Sequence, residues 1–291
     1  MISASLVKEL REKTGAGMMD CKKALEATNA NIEEAIDWLR EKGISKAAKK
    51  ADRIAAEGLA AILVEGNKAA IVEVNSETDF VAKNAEFQEL VNTVLKAIID
   101  NDVNTLDELN SVEVNGTTVA DLVVAKTATI GEKLSIRRFS KLVKEDSQNF
   151  GAYIHMGGKI AVLTLIDGAT EEVAKDVSMH AAAMRPLYTK SSEVPTDVLD
   201  KEKEIMREQL INEGKPEDKI DNILVGKVNK YYEEVCLENQ IFVKAENKES
   251  VATFVKNNGG SINTMIRFEV GEGMEKKEEN FAEEVAKQIN G

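Results

Sequence analysis

The chain has 291 residues, a formal net charge of −13 at pH 7 and a hydrophobic fraction of 43%. An acidic surface binds phosphate backbones poorly, so this composition argues against direct nucleic-acid binding and favours protein partners. The chain has two cysteines far apart, Cys21 and Cys236, and neither a charged-then-apolar leader nor an apolar run of about 18 residues. We therefore expect a cytoplasmic protein with free thiols and no membrane span.

Residues 1–43 are predicted to form a separate module of three short helices. The second helix runs from about Met18 to Thr28. The third opens at Asn31, with Glu34 in position for a capping box. Gly43 is the expected C-terminal stop of that helix.

Met18 and Met19 have two interpretations within this small module. They fill its core, or at least one of them stays exposed as an adaptable contact for a partner, a role that suits methionine. Residues 44–57 are rich in Ala and Lys and have little to bury, so they are interpreted as a linker or a lone helix. Their basic cluster is expected to be a solvated face.

The stretch Ile71–Phe87 is the most informative part of the sequence. It starts as a strand, because its side chains alternate with period two. One face carries Val72 and Val74, and the other carries Glu73 and Asn75. A polar turn follows at residues 76–78, and a helix is predicted from about Lys83 to Ile99.

Asp79 and Phe80 stand at the junction of this strand and helix. Thr78 or Asp79 could cap the helix, since both residue types accept hydrogen bonds from the first N–H groups. Phe80 could pack under the preceding hairpin. Alternatively, the ring reaches a partner.

A hairpin followed by a helix is predicted twice, with turns at Gly66-Asn67 and Gly157-Gly158. The second helix should bury a stripe that ends at Met184. A strand at Lys133–Val143 would close the first sheet. These patterns predict an α+β fold with two subdomains of related design.

Residues 196–237 depart from this design and are predicted to form a helical hairpin. Its first helix is Thr196–Asn212, and Pro216 suits the first position of the second helix. The apolar stripes are explained by internal packing of the hairpin or by self-association. The remaining predicted elements are a strand at Ile241–Ala245, a helix at Glu249–Lys256, a strand at Ile262–Val270 and a final amphipathic helix at Asn280–Ile289.

The sequence offers little support for an enzyme. His155 and His180 are its only histidines, and no cysteines cluster with them at zinc-ligand spacing. No phosphate-binding glycine loop or nucleophile elbow is present. We therefore predict no catalytic residue, no metal site and no cofactor, and expect both histidines to be structural or surface residues.

Three segments carry a resemblance to a known family. They are Leu6–Leu25, Glu73–Ala82 with the run Thr-Asp-Phe-Val, and Ile266–Gly273. In these segments the chain resembles bacterial elongation factor Ts, a family of exchange factors that promote GDP release from elongation factor Tu. The resemblance covers essentially the whole chain.

This resemblance implies a division of the chain into five segments. They are a ubiquitin-associated-like domain at 1–43, a linker at 44–57, a core N-subdomain at 58–145, a core C-subdomain at 146–271 that contains the hairpin 196–237, and a C-terminal helical module at 272–291. Antiparallel sheets are expected in both subdomains.

The resemblance also implies which residues contact the partner, GDP-bound elongation factor Tu. Thr78, Asp79, Phe80 and Val81 would form the motif that dislocates its magnesium ion. Further contacts are implied for Met18, Met19, Lys22, His155 and Val243. No nucleic acid or membrane is involved directly, and a homodimer or a 2:2 complex remains open. The alternative is an adaptor that binds a partner through its N-terminal helices without affecting nucleotide release.

Overall fold

The computed structural model describes residues 2–14 and 16–275, so the predicted helix Asn280–Ile289 lies outside the described residues. The fold is α+β, as predicted, with helices and antiparallel strand pairs. Two compact units are present. Of the described residues, the first takes in those up to Leu63, Val72–Ser140 and 269–275; the second takes in Val64–Ile71 and Lys141–Phe268. The boundaries of the five segments stay a prediction.

The first three helices form a small bundle. They are α1 (Ala4–Thr14), α2 (Met18–Ala27) and α3 (Ile32–Ala48). Their buried core consists of Val7, Leu10, Cys21, Ala24, Leu25 and Ala35. Asn31 caps α3 as predicted, accepting from the N–H groups of Glu33 (3.1 Å) and Glu34 (3.3 Å). Glu34 completes the cap by accepting from the side-chain amide of Asn31 (2.8 Å), rather than from its backbone.

The expected stop of α3 at Gly43 is wrong, since the helix continues to Ala48. Gly43 is buried, and a Cβ built on it would lie 3.5 Å from the Cβ of Ala128. Nearby, Arg40 Nη2 donates to Asp121 Oδ2 over 2.7 Å. Tertiary contacts therefore keep a glycine helical where its own propensity would end the helix.

The next elements alternate between strands and helices. They are β1 (Glu57–Glu65), β2 (Lys68–Ser76), α4 (Asp79–Ala82), α5 (Ala85–Asp100), α6 (Leu106–Ser111), β3 (Glu113–Val114), β4 (Thr117–Thr118), α7 (Val119–Ile130) and β5 (Ser135–Val143). A three-stranded sheet has the order β1-β2-β5, and β3 pairs with β4 in a small antiparallel ribbon that the sequence did not predict. The predicted hairpin and closing strand are therefore confirmed, and so is the helix predicted from about Lys83 to Ile99, which is α5. The four-residue helix α4 precedes it at the junction and was not predicted.

Strand β2 is buried along almost its whole length, including the face that was expected to be polar. Glu73 and Asn75 are fully buried. Glu73 accepts hydrogen bonds from Arg137 Nη1 (3.0 Å), Arg138 Nε (2.6 Å) and the backbone N–H of Gly271 (2.8 Å). A carboxylate can be buried here because two guanidinium groups and a backbone N–H replace its water.

The second unit is built around another three-stranded sheet. Its elements are β6 (Gln148–His155), β7 (Ile160–Asp167), α8 (Glu171–Met184), α9 (Thr196–Asn212), α10 (Glu217–Val235), α11 (Val251–Asn257) and β8 (Ser261–Glu269). The sheet has the order β6-β7-β8, with β6 and β7 antiparallel in the register Ala152↔Leu163. The core between sheet and helices includes Val162, Ile166, Val173, Val177, Ala181, Phe242, Val251, Val255 and Ile262.

The helical hairpin is confirmed, with α9 bounded as predicted. Pro216 precedes α10 as its N-cap residue instead of starting it. Leu210 and Ile220 are buried, but Ile205 is 41% exposed. Packing in the described chain therefore covers only part of the stripe, and self-association stays open.

Two smaller predictions in this unit are wrong. Ile241–Ala245 is not a strand: Ile241 forms only an isolated bridge with Ser250, and the chain then turns. Met184 is 46% exposed and does not extend the buried stripe of α8. Met184 is the last residue of α8, and in the run Ile241–Ala245 only Phe242 is buried.

Candidate functional site

The site begins where β2 ends in a tightly bonded turn. The Ser76 hydroxyl donates to the carbonyl oxygen of Thr78 over 2.9 Å. Thr78 then occupies the N-cap position of α4, which has only four residues. The next helix begins at Ala85, capped by the side chain of Asn84, which accepts from the N–H of Glu86 (2.8 Å). The segment between β2 and α5 is therefore a short, well-bonded connection.

Phe80 projects from this connection and is 79% exposed. The next two residues, Val81 and Ala82, are 8% and 6% exposed, so they anchor α4 in the unit. The ammonium group of Lys83 lies 6.0 Å from the centre of the Phe80 ring. The interpretation that Phe80 packs under the hairpin is wrong, because one short turn of helix buries only its inner side.

The side chains of Thr78 and Asp79 do not cap α4. The Thr78 hydroxyl makes no bond to the helix N–H groups. Asp79 is partly exposed, and its Oδ2 lies 3.4 Å from Lys83 Nζ one turn later. The capping interpretation is therefore wrong, and the Asp79 carboxylate is left beside the exposed ring.

The turn before Phe80 is held by two carboxylates. Glu132 accepts from both the N–H (2.9 Å) and the hydroxyl (2.7 Å) of Thr78. In the opposite direction, Glu77 accepts from the backbone N–H of Lys133 over 2.6 Å. Arg53 Nη1 supports Glu77 at 3.2 Å. We call these five residues the turn clamp.

Met18 and Met19 are 60% and 63% exposed on the first turn of α2. The core-filling interpretation is therefore wrong, since other side chains complete the bundle core. Lys22 lies one turn later and is half exposed, with its Nζ 3.8 Å from Glu26 Oε1. These residues form an exposed apolar and basic patch on an element separate from α4.

His155 and Val243 lie in the second unit and are described within it. His155 ends β6 in an exposed position, with its ring 5.9 Å from the Tyr153 ring and its Nδ1 3.2 Å from the Tyr153 hydroxyl. Val243 is 47% exposed, and its N–H donates to Nδ1 of His180 over 3.2 Å. His155 is therefore a surface residue, and Val243 sits on a turn that a buried histidine supports.

His180 and both cysteines are buried structural groups. His180 lies 3.0 Å from Gln240 Oε1, and burial lowers the pKa of its imidazole. Cys21 and Cys236 are buried and form no disulfide. Burial raises the pKa of the Cys236 thiol to about 11, so this thiol stays protonated and unreactive near neutral pH.

Sequence reasoning missed the turn clamp and the arginine partners of Glu73. Glu132 and Thr78 are 54 positions apart, and Glu73 and Arg137 are 64 positions apart. Nothing local distinguishes Glu132 from the other acidic residues of this chain. The one usable signal was Glu73 in an apolar strand, because a carboxylate in that setting requires a cationic partner.

Among residues 2–14 and 16–275, no group of three or more His, Cys, Asp or Glu side chains lies close enough together to bind a metal ion. Within the same residues, no helix is long and apolar enough to cross a membrane.

A family model described as elongation factor TS matches residues 77–272, which is about two thirds of the chain. The matched range includes Thr78–Val81, His155 and Val243, whereas Met18, Met19 and Lys22 precede it.

Proposed function

The chain belongs to the elongation factor Ts family, and from that premise we propose that it promotes GDP release from elongation factor Tu. In this proposal it is not itself an enzyme. It acts on the nucleotide-bound state of a partner GTPase. It works in the cytoplasm, without a cofactor and without binding nucleic acid directly.

The observation that carries the proposal is the exposure of Phe80. An aromatic ring that is 79% exposed, next to two buried residues on a clamped turn, has no role in its own core. Burying such a side chain in a partner contributes about 1.5–3 kcal/mol. Phe80 is thus suited to enter an apolar gap in the GTPase. The carboxylate of Asp79 beside it can accept hydrogen bonds from GTPase groups that this insertion displaces.

The mechanism follows from what retains GDP. Magnesium and the N–H groups of the phosphate-binding loop neutralise the GDP phosphates. An exchange factor needs a conformation of the GTPase that it binds tightly and that GDP binds poorly. By thermodynamic linkage, the factor weakens GDP binding by the same ratio by which GDP weakens factor binding. A Phe80 wedge that displaces the elements holding magnesium would create such a conformation.

One ring does not supply the whole effect. A thousandfold acceleration corresponds to lowering the barrier by about 4 kcal/mol. We therefore propose further contacts through Met18, Met19 and Lys22 on α2 and through His155 and Val243 in the second unit, all of which are exposed or half exposed. Val81 contributes by anchoring the wedge.

The test is release of a fluorescent GDP analogue from elongation factor Tu, measured with the parent protein and with Phe80→Ala. We expect the parent to accelerate GDP release. At saturating concentration the acceleration by the variant should be at least tenfold smaller, although the variant still binds elongation factor Tu. Val225→Ala is the matched control, because Val225 is also a largely exposed apolar residue (62%) but lies on α10.

Each outcome assigns the function differently. Absence of acceleration by the parent would remove the exchange proposal and favour the adaptor. Equal acceleration by the parent and Phe80→Ala would keep exchange but move its source away from Phe80.

A further inference from the structure

The two segments of the turn clamp hold each other reciprocally. Thr78 donates its N–H and its hydroxyl to the two oxygens of Glu132, at 2.9 and 2.7 Å. Lys133, the next residue, donates its N–H to Glu77, which precedes Thr78, at 2.6 Å. Each segment thus contributes one carboxylate and one backbone N–H to the other.

The clamp is charge-assisted and partly shielded from water. Hydrogen bonds to a carboxylate are roughly twice as strong as neutral ones. The side chain of Glu77 is only 20% exposed, and its Arg53 partner is tied back because Lys133 Nζ donates to the Arg53 carbonyl oxygen over 2.9 Å. The contacts with Thr78 are also partly buried.

Helix α4 cannot fix its own orientation. It has four residues, whereas isolated helices need about 12–15 residues to be even marginally stable. The carboxylate of Glu132 bonds the residue directly before this helix, two positions from Phe80. The direction in which Phe80 projects therefore depends on tertiary contacts on both sides of the ring: Val81 and Ala82 are buried after it, and Glu132 holds Thr78 before it.

We propose that Glu132 is a positioning residue for nucleotide exchange: it holds Thr78 so that Phe80 has its binding orientation before the partner binds. The proposal rests on the proposed function of Phe80. Its physical basis is that a preorganised wedge loses little conformational freedom on binding, whereas a loose turn must be ordered first.

The experiment is the same GDP-release assay, titrated with factor so that the saturated rate and the half-maximal concentration are separated. We expect Glu132→Ala to lower the saturated rate about tenfold. Glu132→Gln should restore most of it, because an amide oxygen can accept the Thr78 N–H and the amide group can bond the hydroxyl. Thr78→Val, which removes only the hydroxyl bond, should lower the rate about threefold and provides a second variant if Glu132→Ala folds poorly.

The decisive comparison is the double variant Glu132→Ala/Phe80→Ala. If Glu132 acts through Phe80, the double variant is no slower than Phe80→Ala alone, because there is no ring left to position. If Glu132 merely supports the fold, its factor appears again in the double variant, and the proposal is overturned.

Glu108→Ala is the matched control for loss of a clamping carboxylate. Glu108 accepts from the N–H groups of Asn104 (2.7 Å) and Thr105 (3.0 Å) at another turn of the same unit. It should leave the exchange rate unchanged, and an equal loss in this control would also overturn the proposal. A parent that accelerates release while Glu132→Ala does so equally well refutes the positioning role alone, whereas an inactive parent refutes the exchange function itself.

Discussion

His180 shows how a single buried side chain can support a surface turn. Its Nδ1 accepts a hydrogen bond from the backbone N–H of Val243. Because a backbone N–H can only donate, Nδ1 carries no proton, and the ring proton is assigned to Nε2, which faces Gln240 Oε1. The amide nitrogen of Gln240 is engaged elsewhere, with the carbonyl oxygens of Met184 (3.3 Å) and Glu234 (2.9 Å). Protonation of Nδ1 would leave the backbone N–H of Val243 without its acceptor and would place a positive charge in the core.

This arrangement predicts a pH-dependent stability. Burial is the main cause that lowers the pKa of His180, so the unfolded chain binds the proton more readily than the folded one. The free energy of unfolding should therefore be fully retained above the unfolded pKa of about 6.5. It should fall as the pH drops below that value towards the folded pKa, by at most about 1.4 kcal/mol per pH unit.

Urea unfolding of the parent and of His180→Gln between pH 5 and 7.5 measures this effect. The stability advantage of the parent should shrink as the pH falls, because the variant cannot take up that proton. A difference that is constant across this pH range would show that His180 does not titrate with folding.

At the scale of secondary-structure elements, helix α8 packs closely on the sheet β6-β7-β8. A Cβ on Gly151 of β6 would overlap the carbonyl oxygen of Ala174 and the hydroxyl of Thr164. In the same layer, that hydroxyl lies 2.8 Å from the Ser178 hydroxyl. Close contact between helix and strand is thus possible only because a glycine faces the helix backbone.

Gly151→Ala should therefore lower the free energy of unfolding by about 1–3 kcal/mol, since α8 must move away from the sheet. Gly226→Ala is the matched control: its Cβ would meet nothing within 4 Å on α10, so it should stabilise the helix by up to about 1 kcal/mol. Chemical denaturation measures both. Equal effects of the two substitutions would contradict the packing argument.

At the scale of the whole molecule, partner binding and nucleotide release can be separated. The patch of Met18, Met19 and Lys22 lies on α2, whereas Phe80 lies on α4. We expect the patch to contribute equally before and during GDP release. In the proposed mechanism, Phe80 contributes only when the GTPase changes conformation. A contact that contributes equally at both stages, like the α2 patch, changes the half-maximal concentration of factor. A contact made only during release, like Phe80, changes the saturated rate.

The triple variant Met18→Ala/Met19→Ala/Lys22→Ala should therefore raise the half-maximal concentration about tenfold, equivalent to about 1.4 kcal/mol of binding, with little change in the saturated rate. Lys8→Ala, an exposed residue of α1, is the control and should change neither. A triple variant that loses saturated rate instead would assign catalytic importance to the N-terminal helices. If the parent binds without accelerating GDP release and the triple variant loses all binding, the adaptor is supported.

The sequence determined those features that depend on neighbouring residues. The bounds of α9, the cap at Asn31 and the hairpins around Gly66 and Gly157 all follow from periodicity and turn chemistry. The family signature around Phe80 likewise needs only contiguous residues. These signals survive in the sequence because their physical causes act over a few positions.

Tertiary structure alone decided what is buried and what is clamped. Gly43 stays helical because Ala128 covers it, and Glu73 is buried because arginines of β5 neutralise it. Phe80 is exposed because the residues after it, not the ring, anchor α4, while Glu132 holds the turn before it. Each of these outcomes depends on partners tens of residues away, and a carboxylate or a glycine carries no local record of the partner that it will meet.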